Sequence, residues 1–187
     1  MKRLISLLII VMVCVIPIAK AKYLGYELGQ TKNQIAGLDK FTLIPGDSDK
    51  ESMYYVTNSR SGNDGYLLLT LFENKITMIQ WILNEDITYT SLTDLLLNIC
   101  DLYKERFGNA DYYGWTDGAE LVKYYGEEVA IRYGAILSII WNEPIRNVRV
   151  VILLQSNLFD SDKLSISISF IDIALYDKRK EHDVSDF

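Results

Sequence analysis

Histidine is nearly absent from this chain of 187 residues: the only one, His182, lies in a charged C-terminal segment. Ser-His-Asp and Cys-His mechanisms, and metal sites built from several histidines, each need an imidazole inside an ordered pocket. The sequence therefore excludes these classes of catalysis and of metal binding.

Cysteine, proline and glycine are also scarce, with 2, 3 and 11 residues respectively. So little proline and glycine argues against collagenous, low-complexity and disordered chains. The formal charge of −6 means that acidic residues outnumber the lysines and arginines that a nucleic-acid partner would require. The length predicts a single domain of ordinary size with a proper hydrophobic core.

Residues 1–21 have the pattern of a secretory signal peptide. Lys2 and Arg3 precede an apolar run of 16 residues, and Ala19-Lys20-Ala21 places small residues at the two positions that a signal peptidase reads. The run is shorter than the ~20 residues that cross a bilayer. Cleavage after Ala21 is therefore favoured over the alternative, an uncleaved membrane anchor.

Export has consequences for charge and for the cysteines. Cleavage would lower the formal charge to −9 and leave Cys100 without an intramolecular disulfide partner. Cys100 falls in a helical apolar stretch, so we expect a buried, structural thiol. The sequence contains no Asn-x-Ser/Thr sequon, which favours a bacterial envelope over a eukaryotic secretory pathway. We expect a location in the periplasm or outside the cell, with no membrane span after cleavage.

Hydrophobic periodicity predicts an α+β fold with the order α-β4-α-α-β3. The first helix is short and is expected to begin at Thr31, whose partner in a capping box is Gln34. A tight turn with Asn74 in the left-handed conformation joins the third and fourth strands. The predicted elements are a helix over 30–37, strands over 41–44, 52–57, 66–72 and 76–83, helices over 91–108 and 117–134, and strands over 135–142, 148–154 and 164–173.

This order predicts a two-layer sandwich in which antiparallel sheet, in one piece or several, packs on helices. The domain is expected to span 22–176, and the order allows two related units over about 22–88 and 89–176. Residues 177–187 are expected to form a solvated charged tail. Because Gly126 disfavours a helix interior, a hairpin over Lys123–Tyr133 is the alternative to the second long helix.

The last strand has the clearest pattern in the chain. Leu164, Ile166, Ile168 and Phe170 alternate with three serines at 165, 167 and 169. Such alternation is typical of a strand with one face on the core and one face in water. We therefore expect the serine face to be exposed or only lightly covered.

The segment Gly29-Gln30-Thr31-Lys32-Asn33-Gln34-Ile35 resembles the Gly-x-Thr-Lys-x-x-Val helix start of small bacterial envelope proteins. Those proteins share the fold of the outer-membrane assembly lipoprotein SmpA and of the β-lactamase inhibitory protein. The second half of the chain is similar to the helix-loop-helix plus antiparallel sheet unit of that group. It has a helix that ends at Lys104-Glu105-Arg106-Phe107-Gly108-Asn109, a helix that ends at Gly134, and then Trp141 on a strand and two further strands. The chain departs from the lipoprotein members because no small residues precede Cys14. The resemblance implies protein binding in the envelope rather than catalysis.

Acidic clusters are the remaining candidates for acid-base or calcium chemistry. Glu127-Glu128, Glu85-Asp86 and the Asp47-x-Asp49-x-Glu51 segment are interpreted as turn and helix-surface charges, because adjacent carboxylates on a helix diverge. A calcium loop starting at Asp47 would need glycine where Ser52 stands. We therefore expect no catalytic activity, no metal and no cofactor.

Aromatic residues are abundant, with 13 tyrosines, 6 phenylalanines and 3 tryptophans. Tyr112, Tyr113 and Trp115 fall on the predicted loop between the two helices, where large amphipathic rings are typical of a binding surface. The alternative is that these three rings cover the end of the sheet. The other notable aromatics are interpreted as packing residues, in the helix (Tyr124, Tyr125 and Tyr133) or in strands of the core (Trp81 and Trp141).

Together these features predict an exported, non-catalytic protein-interaction module of the bacterial cell envelope. Its binding residues are expected to be Tyr112, Tyr113 and Trp115, assisted by an edge of the sheet, and its partner another envelope protein. The alternative is a small-molecule or glycan-binding protein that stacks its ligand on tyrosine and tryptophan rings. The oligomeric state stays open.

Overall fold

The computed structural model describes residues 22–45, 50–60, 63–83, 88–159 and 163–185, so the predicted signal peptide lies outside the described residues. Within those ranges the chain forms ten strands: β1 (Lys22–Tyr23), β2 (Tyr26–Glu27), β3 (Thr42–Pro45), β4 (Glu51–Arg60), β5 (Asn63–Phe72), β6 (Lys75–Leu83), β7 (Tyr112–Asp117), β8 (Ile136–Ile145), β9 (Val148–Ser156) and β10 (Leu164–Asp172). The helices are α1 (Tyr89–Phe107), α2 (Ala119–Tyr125), α3 (Glu127–Arg132) and α4 (Ile173–Ser185), with short 3-10 helices at Lys32–Gln34 and Leu38–Lys40.

One antiparallel sheet of eight strands dominates the molecule, with the order β3-β4-β5-β6-β10-β9-β8-β7. Strands β3 to β6 form one meander and β7 to β10 form another, so each half of the chain contributes four strands. The two meanders join where β6 pairs with β10, and Ile82 lies opposite Ser167 at this junction.

The predicted two-layer sandwich of sheet packed on helices is therefore wrong. The segment expected to be the loop between two helices is strand β7, which extends the sheet by one strand. The second predicted helix is interrupted at Gly126, whose φ of 77° ends α2 and leaves two helices of 7 and 6 residues. The first change adds a strand to the sheet, and the second shortens the helical segment.

Local start signals place α1 and the first helical turn near their observed positions. α1 begins at Tyr89 rather than at Ser91, because the Thr88 side chain accepts a hydrogen bond from the Ser91 N–H. The segment after Thr31 is a single 3-10 turn, and the Gln34 side chain accepts from the Thr31 N–H at 3.1 Å as the capping box predicts.

The main hydrophobic core lies between α1 and one face of the sheet. Leu92 and Leu96 of α1 are buried there, against apolar residues of β5, β6, β8, β9 and β10. Trp81 and Trp141 are 7% and 3% exposed, which confirms that they are core residues. The Trp141 indole N–H donates to the Gly108 carbonyl at 3.0 Å, which ties β8 to the end of α1.

The opposite face of the sheet is covered as well. Ser165 and Ser167 have no exposed surface and Ser169 is 3% exposed, so the prediction of a solvent-facing serine face is wrong. On this face, Phe159 from the connection after β9 packs on the rings of Tyr55 and Tyr66. β10 is also flanked by β6 and β9, and α4 contacts it.

The charged segment predicted as a solvated tail is helical up to Ser185, as part of α4. Arg179 forms an ion pair with Glu51 at 2.9 Å, and Lys178 forms one with Glu73. These contacts hold α4 against the start of β4 and the β5–β6 turn. None of the helices in the described ranges combines the length and the apolar character needed to cross a membrane.

Candidate functional site

Strand β7 carries the three predicted binding residues and lies at the end of the sheet. Tyr113 is opposite Ile139 and Trp115 is opposite Leu137, two residues of the main core. Paired residues of an antiparallel sheet share a face, so Tyr113 and Trp115 face the α1 side. Tyr112 lies on the other face, since side chains alternate along a strand. The structure thus brings together two of the three predicted residues.

Tyr112 has a separate environment on the opposite face. Its hydroxyl donates to the Trp115 carbonyl at 3.0 Å, and its ring lies over Gly114, whose added Cβ would be 3.1 Å from that hydroxyl. Tyr112 remains 39% exposed. It is placed to stiffen β7 rather than to share a contact surface with Tyr113.

Tyr113 and Trp115 line a cleft between α1, β7 and the start of α3, which we call the aromatic cleft. Its volume is about 390 Å³. Tyr113 is 63% exposed at its mouth, whereas Trp115 is half-buried and packs against the core. The lining residues are Tyr89, Thr93, Leu96 and Leu97 of α1, Tyr113, Gly114 and Trp115 of β7, Glu127 of α3, Leu137 of β8 and Leu154 of β9.

A hydrogen bond between Tyr89 and Glu127 spans the aromatic cleft. The Tyr89 hydroxyl donates to Oε2 of Glu127 at 2.6 Å and so connects α1 to α3. Burial raises the pKa of Tyr89 well above its ordinary value, and the Glu127 hydrogen bond and charge raise it further. The phenol therefore stays protonated at neutral pH and holds the carboxylate in place.

Burial is the main cause of a raised pKa for both Tyr113 and Cys100. Burial raises the pKa of Tyr113, with smaller contributions from Cys100 and Glu127. Burial, followed by the charge of Asp101, raises the pKa of the Cys100 thiol to about 11. Cys100 is half-buried and packs on the main core, so a protonated, structural thiol is the description that the geometry supports.

Sequence reasoning did not identify Tyr89 as a cleft residue, and it interpreted Glu127 only as a helix-surface charge. Two local signals could have located them. Thr88 as an N-cap would place Tyr89 on the first turn of α1, and Gly126 as a helix break would place Glu127 at the start of α3. What no local signal supplies is the distance between the two helices.

Three exposed tyrosines, two on α2 and one directly after α3, contradict their interpretation as packing residues. Tyr124, Tyr125 and Tyr133 are 78%, 61% and 73% exposed. The Tyr125 ring centroid lies 6.5 Å from that of Tyr124 and 6.4 Å from that of Tyr133. The helix breaks at Gly126, and the residues buried after the break are Ala130 and Ile131 of α3.

The adjacent carboxylates Glu127 and Glu128 have different partners. Glu128 points away from Glu127 and pairs with Arg132 at 3.0 Å. Among the described ranges, no group of three or more acidic, cysteine or histidine side chains could hold a metal ion. Glu85-Asp86, Asp47 and Asp49 lie outside the described residues.

The chain matches no family model, no curated protein and no solved structure. The resemblance to the group of SmpA and the β-lactamase inhibitory protein stays a prediction.

Proposed function

We propose that this protein is an exported, non-catalytic protein-binding module of the bacterial envelope, and that it binds an extended segment of a partner protein at β7 and the aromatic cleft. The observation that carries the proposal is the position of β7. It has a strand on one side only within the described sheet, and it lines a cleft with Tyr113 and Trp115. The unpaired backbone groups of such an edge can accept an added strand.

The side chains beside β7 suit this mode of binding. An added strand gains affinity from main-chain hydrogen bonds and specificity from pockets that take alternate side chains. The aromatic cleft lies immediately beside the strand and offers three rings, those of Tyr89, Tyr113 and Trp115. Tyrosine and tryptophan supply much of the affinity at protein interfaces, where truncation of an anchor costs ~2 kcal/mol or more.

The proposal that the module is not an enzyme rests on the acids present in the cleft. Glu127 is the single acidic residue among its ten lining residues, and Tyr89 already occupies one of its oxygens. Hydrolysis by paired carboxylates would require a second acid across the cleft.

Glycan binding is the second candidate, and the polar groups of the aromatic cleft favour it. Thr93 and Glu127 stand beside the rings of Tyr113 and Trp115, so a sugar could stack on a ring and donate hydrogen bonds. A protein ligand differs because it would also engage the backbone of β7.

Selection of displayed random peptides by the purified protein, followed by amide hydrogen exchange, tests the proposal. We expect bound peptides to protect the amides of β7, and Tyr113→Ala to weaken their binding at least tenfold. Tyr124→Ala is the matched control, since Tyr124 is an exposed tyrosine outside the cleft. Protein binding would be refuted if the unmodified protein enriches no peptide relative to the Tyr113→Ala variant. A glycan array probed with the unmodified protein and this variant would then test the second candidate.

Export has its own test. We propose cleavage after Ala21, so the intact mass of the exported protein should correspond to a chain beginning at Lys22. Recovery of a membrane-bound form that retains Lys2 and Arg3 would contradict this proposal.

A further inference from the structure

The chemistry of the aromatic cleft restricts what can enter it. Its walls combine three aromatic rings with one carboxylate, and none of its ten lining residues is a lysine or an arginine. A cation over the face of an aromatic ring is attracted by the ring quadrupole, and a carboxylate adds charge-assisted hydrogen bonds. The cleft is thus built for a positively charged group with a flat or apolar body.

From this arrangement we infer that the aromatic cleft recognises an arginine side chain, which the partner segment presents next to β7. The inference rests on the proposed function and specifies its ligand. The guanidinium group is planar, stacks on aromatic faces and can donate two parallel hydrogen bonds to a carboxylate. In the cleft, Tyr113 and Trp115 offer the rings and Glu127 offers the carboxylate.

Glu127 is positioned for this role before any ligand binds. The Tyr89 hydroxyl holds Oε2 at 2.6 Å, which fixes the carboxylate and leaves its other oxygen to accept from a ligand. Fixing an acceptor in advance lowers the conformational cost of binding. Tyr89 is therefore a positioning residue for Glu127.

The neighbouring charges on α2 and α3 do not compete for the ligand. Glu128 pairs with Arg132 at 3.0 Å, and Glu120 pairs with Lys123 at 2.5 Å. Glu127 has no such basic partner among its described contacts, and its one described side-chain hydrogen bond goes to the neutral Tyr89 hydroxyl. It thus supplies the local negative charge, and an incoming cation would complement it.

The test compares N-acetylarginine methylamide with the citrulline analogue, which has nearly the same shape and no charge. Binding is measured by two-dimensional NMR, following the Trp115 indole N–H, which is assigned by its loss in Trp115→Phe. We expect the arginine probe to shift this resonance in a saturable way and the citrulline probe to bind at least tenfold more weakly. Equal affinity for the two probes would overturn the inference.

Substitutions separate the fixed carboxylate from general surface charge. Glu127→Gln should weaken arginine binding at least tenfold, and Tyr89→Phe should weaken it less, because the charge remains but is no longer held. Glu128→Gln is the matched control, with the same change one residue away, and should leave binding unchanged. An equal loss in Glu127→Gln and Glu128→Gln would show that arginine binds the acidic surface as a whole, and the inference would fail.

The two proposals fail in different ways. Displayed peptides that bind β7 without any enrichment of arginine would leave the protein-binding function standing and refute arginine recognition. Binding of the arginine probe with no peptide protection of β7 would refute the strand-addition proposal and keep the cation site.

Discussion

Replacing Ser167 by alanine should stabilise the protein, although it removes a polar group from a serine-rich strand. Ser167 has no exposed surface, and its hydroxyl has no hydrogen-bond partner within the described part of the chain. A buried hydroxyl that lacks a partner costs ~1–3 kcal/mol of desolvation energy. Alanine keeps the Cβ and gives up only a few dispersion contacts of ~0.1–0.2 kcal/mol each. We expect a net gain of about 1–2 kcal/mol.

Ser138→Ala is the matched control, because Ser138 is also buried on this face at 2% exposure. Its hydroxyl lies 2.7 Å from the hydroxyl of Thr116, so alanine removes a hydrogen bond. That loss should cost ~0.5–1.5 kcal/mol. The two substitutions are chemically identical and should change the free energy of unfolding in opposite directions.

Urea titrations monitored by tryptophan fluorescence measure both changes, and the midpoints should move apart. In a scanning calorimeter, each kcal/mol should shift the melting temperature by ~2–4 °C for a domain of this size. The reasoning is refuted if Ser167→Ala destabilises the protein as much as Ser138→Ala does, because the Ser167 hydroxyl would then make a favourable interaction.

Three further predictions concern packing, pH and the cleft. Gly65→Ala should lower the free energy of unfolding by ~1–3 kcal/mol, measured by urea titration, because the new Cβ would lie 2.4 Å from Nε1 of Trp81. Stability should fall as pH rises from about 9 to about 11, because burial raises the pKa of Cys100 from 9.0 to about 11 and the folded state then binds more protons than the unfolded state. Urea midpoints at pH 8, 9.5 and 11 should show this decline, and it should be smaller in Cys100→Ser. Tyr113→Ala should leave the melting temperature unchanged, since Tyr113 is 63% exposed, whereas Trp115→Ala should lower it because Trp115 packs on the core. Equal melting temperatures for the two variants would show that Trp115 contributes no packing.

Short-range signals predicted the local structure well. Asn74 adopts the left-handed conformation in the β5–β6 turn, with φ of 62°. The alternation in β10 predicted a strand, and the periodicity over 91–108 predicted α1. In each case the residues involved are neighbours in sequence, so their preferences act without help from the rest of the chain.

The predictions from sequence were wrong where the structure of a segment depends on residues far away in the chain. Tyr112-Tyr113-Gly114-Trp115 forms a strand because β8, some 25 residues further on, offers it an edge. The serines of β10 are buried on the side of the sheet where Phe159, which is distant in sequence from β4 and β5, packs on Tyr55 and Tyr66. The candidate site was predicted in part for the same reason. Trp115 was predicted from the aromatic composition of its segment, whereas the hydrogen bond between Tyr89 and Glu127 depends on how α3 packs beside α1.

The junction between β6 and β10 also has a kinetic consequence. Within each meander, pairing strands are neighbours in sequence or are joined by local helices, so their hairpins close small loops on the microsecond time scale. The β6–β10 ladder instead joins Ile82 to Ser167, about 85 residues apart. The chain must lose most of the conformational entropy of this long loop before the contacts between β6 and β10 form. The rate of folding should therefore be set by the meeting of these two central strands, each of which is the last of its meander to leave a ribosome.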